Sequence, residues 1–326
     1  MLTVIGEALI DEVVQAGRAA VPHVGGSPMN VAVGLARLGH PVQFLGRMGQ
    51  DAYGDMVAGH LKANDVLVPL APDALPTSVA RAVLDSDGAA SYEFALDWTL
   101  PALAAGQGMT AAGITSGDAA ESASQFMLNG TTLLHTGSIA TMLAPGEAHV
   151  FDAVVTAHPH ATISYDPNCR PSIIGDVAHA REQAEKFVRL ADVIKASDED
   201  LEWLYPGTDP KESARRWLAL GGTEGPAVVV VTQGAGGPWA VCAAGEAECQ
   251  VPSVDVVDTV GAGDSFMAAL LSSLVDRELD GAHRRAELRS INVQALTEVI
   301  EYAARAAAIT VSRAGANPPN RAELAK

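Results

Sequence analysis

Cysteine is scarce in this sequence: Cys169, Cys242 and Cys249 are all there is. They form no CxxC pair and are odd in number, which argues against a disulfide framework and fits a reducing, cytoplasmic setting. Aromatic residues make up only 5% of the chain, so its core has to be filled by aliphatic and small side chains. Basic residues are also short, with 21 Lys and Arg against 39 Asp and Glu, for a formal charge of −18. The cations are scattered as well as few, which excludes nucleic acid and anionic membranes as partners. Long hydrophobic runs are missing. Stretches such as residues 227–231 (AVVVV) are far too short to span a bilayer. The opening MLTVIGEALIDE has no basic segment and reaches an acid at Glu7, so it is expected to be a first strand and not a secretory signal.

Several catalytic signatures are absent too. No lysine follows a glycine, so there is no phosphate-binding loop of the GxxxxGK type. The single GxGxxA, at 106–111, follows no strand and does not make a dinucleotide site. There is no HExxH, and the nine histidines show no metal-ligand spacing; His135 reads as a core residue.

What is present is an alternation. Apolar runs of strand length at 3–6, 42–45, 132–135, 161–165, 192–195 and 227–232 are separated by amphipathic stretches near 51–63, 147–157, 178–190 and 198–205. Such a chain is expected to form a mainly parallel sheet covered by helices on both faces, in a single α/β domain over 1–326. Ser27-Pro28 predicts a helix start with a capping hydroxyl, and Gly39 its end. Residues 79–85 and 89–96 flank a Ser86-Asp87-Gly88 turn and predict a hairpin. With an extended stretch at 9–24 they are expected to build a small projecting β-sheet, a lid drawn from about 9–24 and 78–98. Residues 104–120 read as a loop.

Two motifs carry chemistry. Residues 258–266 (DTVGAGDSF) put Gly261, Ala262 and Gly263 just before an apolar helix, where backbone N–H groups and the helix end form a concavity for a phosphoryl group. Asp264 falls at the same helix start. A carboxylate there is poorly placed beside phosphate unless it accepts the proton of an attacking hydroxyl, while the amides of 261–263 stabilise the transferred group. The plainer reading is an Asp that only caps its helix. The second motif is Gly25-Gly26-Ser27-Pro28-Met29-Asn30, where paired glycines allow close backbone approach and Asn30 offers a donor and an acceptor to a hydroxyl.

Residues 25–39 (GGSPMNVAVGLARLG) and 258–271 (DTVGAGDSFMAALL) resemble the N- and C-terminal signatures of the PfkB, or ribokinase-like, carbohydrate kinases. The resemblance covers nearly the whole chain. It implies a ribokinase-like three-layer sandwich with a β-sheet lid, ATP with Mg²⁺ as co-substrate, a monovalent cation such as K⁺, and a homodimer. It assigns Asp264 as catalytic base, the 261–263 amides and Arg170 (in the segment DPNCR) as partners of the transferred phosphate, and Asp11, Gly25, Gly26, Asn30 and Asp264 as sugar contacts. Lys195, Ser197, Thr232, Gly234 and Gly263 fall to the nucleotide side, and residues 306–316 beside the adenine. Asp258, with carbonyls of Val260, Thr310 and Gly315, matches the monovalent-cation site; the alternative is that Asp258 merely orders its loop. Ser197 and Asp200 stand where many members carry an N-x-x-E motif that orders water around Mg²⁺, a departure from the usual pattern. Cys169, beside the site, reads as a bystander.

GEALIDE and GGSPMN are more similar to fructokinases than to ribokinases, so fructose is the expected acceptor. Other hexoses, 2-keto-3-deoxygluconate, ribose or a nucleoside are the alternatives. A catalytically silent sugar- or nucleotide-binding regulator is the non-enzyme alternative, and it is disfavoured because Asp264 and the GAG segment are intact.

Overall fold

Four successive valines explain the central sheet: Val228 and Val230 enter one hydrophobic core, Val229 and Val231 another on the opposite face. A strand buried on both sides has no polar face, which is why it reads as an unbroken apolar run. Full burial of each such side chain contributes about 1.5–3 kcal/mol before the entropy of ordering it is subtracted.

The computed structural model describes residues 1–15, 20–84, 90–100 and 127–325. Its strands are β1 (Leu2–Ile5), β2 (Leu9–Gln15), β3 (Val21–Gly25), β4 (Val42–Leu45), β5 (Val79–Leu84), β6 (Ala90–Ala95), β7 (Leu133–Gly137), β8 (Thr162–Asp166), β9 (Val193–Ser197), β10 (Val228–Thr232), β11 (Pro238–Cys242) and β12 (Gly245–Glu248). Among the described residues eight of these form one sheet in the order β12-β11-β10-β9-β8-β7-β1-β4. Pairing is parallel from β10 through β4 and antiparallel for β11 and β12 at one edge.

Helices α1 (Ser27–Arg37), α2 (Ala52–Ala63), α3 (Gly146–Ala157), α4 (Val177–Val188), α5 (Asp198–Leu204), α6 (Pro210–Ala219), α7 (Ala262–Val275) and α8 (Val293–Val311) cover the sheet. Side chains of α1, α2, α7 and α8 fill the core on one face, and those of α3 to α6 fill the other. This is the expected ribokinase-like three-layer architecture. A separate four-stranded sheet, β3-β2-β5-β6, is built from the segments expected to make the lid. β5 and β6 pair antiparallel, as the hairpin pattern predicted. The Ser86-Asp87-Gly88 turn, the loop at 104–120 and the GxGxxA at 106–111 lie outside the described residues.

One expectation fails at α1. The N-cap is Gly26, at φ 115°, and no side chain caps the helix. Ser27 is already helical, and its hydroxyl turns elsewhere. Further along the same helix, Gly34 faces α7 so closely that a Cβ there would lie 2.6 Å from the Cβ of Ala268. That contact brings the start of α1 beside the start of α7.

Candidate active site

α7 begins at Gly261, which holds a left-handed backbone (φ 74°) and would meet Ala316 if it carried a side chain. Three residues on, Asp264 sits in the first helical turn, facing the start of α1. Ser27 donates its hydroxyl to Asp264 Oδ1 at 2.6 Å, and Asn30 donates Nδ2 to Oδ2 at 2.8 Å. The hydroxyl read from sequence as a helix cap therefore orients the carboxylate proposed as base. Asn30, expected to contact a sugar, also holds that carboxylate.

Two cavities meet at this helix end. One, of about 550 Å³, lies between the small sheet and the central sheet; Asp11, Gly26, Asn30, Arg170 and Asp264 line it, together with residues 259–263. The other, of about 600 Å³, is lined by Thr232, Gly234, Val251, Phe266, Ala307 and Val311 among others. Thr259, Ala262 and Gly263 belong to both. The first thus gathers the residues expected on the sugar side, and the second gathers Thr232, Gly234, Gly263 and part of 306–316 from the nucleotide side. Gly25 ends β3 against the Asp11 carboxylate and does not line the first cavity itself.

Lys195 lines neither cavity. It is 3% exposed and pairs with buried Asp166, Nζ to Oδ2 at 2.9 Å. Its ammonium lies under the glycine loop, where a Cβ on Gly263 would come within 3.1 Å of Nζ. Burial opposes its charge, but Asp166, Asp200 and Asp264 outweigh that and hold the lysine above its ordinary range. The result is a fixed positive charge beneath amides that face the shared wall. Beside it, His135 bonds Ser164 (3.0 Å), and burial together with Lys195 pushes it down to about 3. It stays neutral.

Ser197 and Asp200 are committed to each other in a capping box at the start of α5. Asp200 Oδ2 accepts from Ser197 N and Oγ, while Oδ1 accepts from Cys169 N at 2.7 Å. Neither residue lines a cavity. Burial pushes the Cys169 thiol far up and leaves it unreactive. Arg170 donates to the carbonyls of Asn168 and Cys169 and presents itself at the first cavity.

Asp258 receives the N–H of Val260 on Oδ1 and that of Gly315 on Oδ2, and these bonds lower its carboxyl. It therefore orders its loop. The Thr310 carbonyl accepts the backbone N–H groups of Ser312 and Arg313, and the Gly315 carbonyl accepts that of Asn317. The Gly315 carbonyl thus keeps a second lone pair, and with the Asp258 carboxylate it offers the hard oxygen atoms that a cation such as K⁺ would take.

Some cavity residues were not singled out from sequence. Glu7 and Ser138 line the cavity expected for the sugar, and so does Asn168 of the DPNCR segment, to which no role of its own was given. Glu7 is 4% exposed, its Oε2 has no hydrogen-bond partner, and burial pushes its carboxyl up to about 7. The available signal was a lone acid within an apolar opening.

The pfkB family carbohydrate kinase model matches residues 1–323. The chain belongs to that family. Among curated pfkB relatives, the fructokinase of Rhizobium leguminosarum bv. trifolii is 33% identical over 306 residues, 91% of this chain and 85% of its own. Fructokinase-2 of Solanum lycopersicum is 30% identical over 302 residues, 90% of this chain and 83% of its own. Among solved structures, the ATP-bound fructokinase of Xylella fastidiosa superposes with a TM-score of 0.83 at 25% identity, covering 99% of this chain and 96% of that one.

Proposed function

We propose that this pfkB-family kinase transfers the γ-phosphoryl group of ATP to a hydroxyl of fructose, with Asp264 as the base. The observation that carries the reading is the Asp264 carboxylate, held by Ser27 and Asn30 beside the wall that two cavities share. The sugar lies in the cavity under the small sheet and ATP in the one beside α8. The hydroxyl oxygen forms its bond to the γ-phosphorus as the bond to the bridging oxygen of ADP breaks, and the hydroxyl proton passes to Asp264. The amides of Gly261, Ala262 and Gly263, backed by the Lys195 charge, stabilise the transferred group. Arg170 approaches the same group from the sugar side. Mg²⁺ bound with ATP would supply charge neutralisation of the phosphates. The small sheet excludes water, since a wet site would hydrolyse ATP.

Glu7, Asp11 and Asp264 outnumber Arg170 around the sugar cavity, which favours a neutral sugar. Arg170 alone favours a second reading, 2-keto-3-deoxygluconate as acceptor. K⁺ activation through the Asp258 loop, homodimer formation through the small sheets and a cytoplasmic location complete the proposal. Support for K⁺ is the oxygen set around Asp258. Indifference of turnover to K⁺ against Na⁺ would retire it.

The test is ADP release from Mg-ATP, with fructose, glucose, ribose, 2-keto-3-deoxygluconate and adenosine compared as acceptors. Fructose is expected to give the highest kcat/KM. A preference for the sugar acid would move the assignment to the Arg170 reading, and no acceptor-dependent turnover would refute the kinase assignment.

A further inference from the structure

Glu7, Ser138 and Asn168 lie just beyond the C-terminal ends of three adjacent strands, β1, β7 and β8. Asn168 Nδ2 donates to Ser138 Oγ at 3.3 Å. The Ser138 side chain and the backbone at Ala140 sit against the Glu7 carboxyl and favour its ionised form. Ser138 and Asn168 both hold left-handed backbones, at φ 57° and 36°, a strained state for a residue with a side chain. Such conformations persist only where their surroundings over-determine them, and they concentrate at ligand sites. All three residues line the sugar-side cavity, and Glu7 carries the buried, unpartnered Oε2.

We propose that Glu7 is a positioning residue of the acceptor pocket: through Ser138 it fixes the amide of Asn168, and so sets the hydroxyl pattern that the pocket accepts. The inference rests on the reading of this cavity as the sugar site. With its nitrogen bonded to Ser138, Asn168 turns the oxygen side of its amide to a ligand hydroxyl. The ionised Glu7 carboxylate holds the Ser138 hydroxyl by a charge-assisted bond, roughly twice as strong as a neutral one. Protonation near neutral pH weakens that bond and loosens the relay. The charged and titratable groups around the cavity are Arg170, Asp11 with its cross-strand neighbour His23, and Asp264. The Arg170 charge favours the carboxylate form of Glu7.

The experiment compares wild type with Glu7→Gln, which keeps the shape but cannot ionise, over pH 6 to 8 with the best acceptor. At pH 8 the acceptor KM of Glu7→Gln is expected to rise about fivefold, with ATP KM unchanged and kcat affected less. The wild-type acceptor KM should climb towards the variant's value as pH falls to 6, while the variant stays flat. Ser138→Gly removes the relay hydroxyl and relieves the backbone, and it should reproduce the KM effect; the double variant should be no worse than either single one. If Glu7→Gln fails to fold, Ser138→Gly decides. An unchanged acceptor KM, an equal rise in ATP KM, or pH dependence that survives in Glu7→Gln would overturn the inference alone. No sugar-dependent turnover by the wild type would remove the acceptor-site reading and this inference together.

Discussion

Asn30 and Asp264 stand 234 positions apart in sequence, yet Nδ2 of one lies 2.8 Å from Oδ2 of the other. The residue proposed to touch the sugar is thereby tied to the residue proposed to take its proton. Ser27, one turn earlier on the same helix face, holds the other carboxylate oxygen. Both side chains that orient the Asp264 carboxylate come from the first turns of α1.

Replacing Asp264 by Asn tests the base directly. The amide keeps the shape and one acceptor oxygen but cannot take a proton. We expect kcat to fall by about 10²–10⁴-fold, with thermal stability and ATP affinity close to wild type. Turnover near the wild-type level would remove Asp264 from that role.

Lys195 and Asp166 predict a stability effect. Both are nearly inaccessible, so Lys195→Met strands a carboxylate without its partner. The expected cost is about 3–5 kcal/mol, read from denaturant or thermal unfolding. Adding Asp166→Leu should recover most of it, because a well-packed apolar pair escapes the desolvation penalty. A single variant as stable as wild type would show that the pair contributes nothing.

Gly34 sets how closely α1 approaches α7. With only 2.6 Å between a new Cβ and that of Ala268, Gly34→Ala forces the helices apart. A loss of about 1–3 kcal/mol is expected, with a fall in kcat as Ser27 and Asn30 retreat from Asp264. Equal melting temperatures and equal turnover would mean that the contact yields without cost.

The buried Glu7 makes stability depend on pH in a definite direction. Its carboxyl rises from 4.5 to about 7 on folding, so the folded state keeps a proton that the unfolded chain releases. Stability is therefore highest below the unfolded value and is lost as pH rises through about 7, by at most about 3 kcal/mol. Glu7→Gln should be the more stable protein at pH 8 and show no advantage at pH 4. A wild type that gains stability relative to Glu7→Gln between those values would contradict this.

The sequence was most legible where a residue's role depends on its near neighbours. Strands such as β1, β4 and β10 are buried on both faces, so their apolar character needs no partner to be recognised. The β11–β12 hairpin was not read from sequence. Gly245–Glu248 (GEAE) lies at an edge with two exposed glutamates and little β-propensity. Ser27 was misread for a different reason. Ser before Pro is good local evidence for a cap, but Asp264 competes for the hydroxyl from the far end of the chain. Lys195 matched a motif position, while its actual pairing with Asp166 follows from the adjacency of β8 and β9. Glu7 counted only as an acid near the start; its surroundings include residues 138–140, in a short 3-10 turn after β7 more than a hundred positions away.

The wall between the two cavities has one more implication. Thr259, Ala262 and Gly263 form it, and none has a side chain larger than threonine's. The two chambers are divided by little more than backbone. A single compound joining a sugar to a nucleoside through a phosphate bridge can therefore span both chambers. Linking the halves turns the second association into an intramolecular one, with an effective concentration on the order of millimolar or higher. The thin partition makes this protein a natural template for bisubstrate inhibitors.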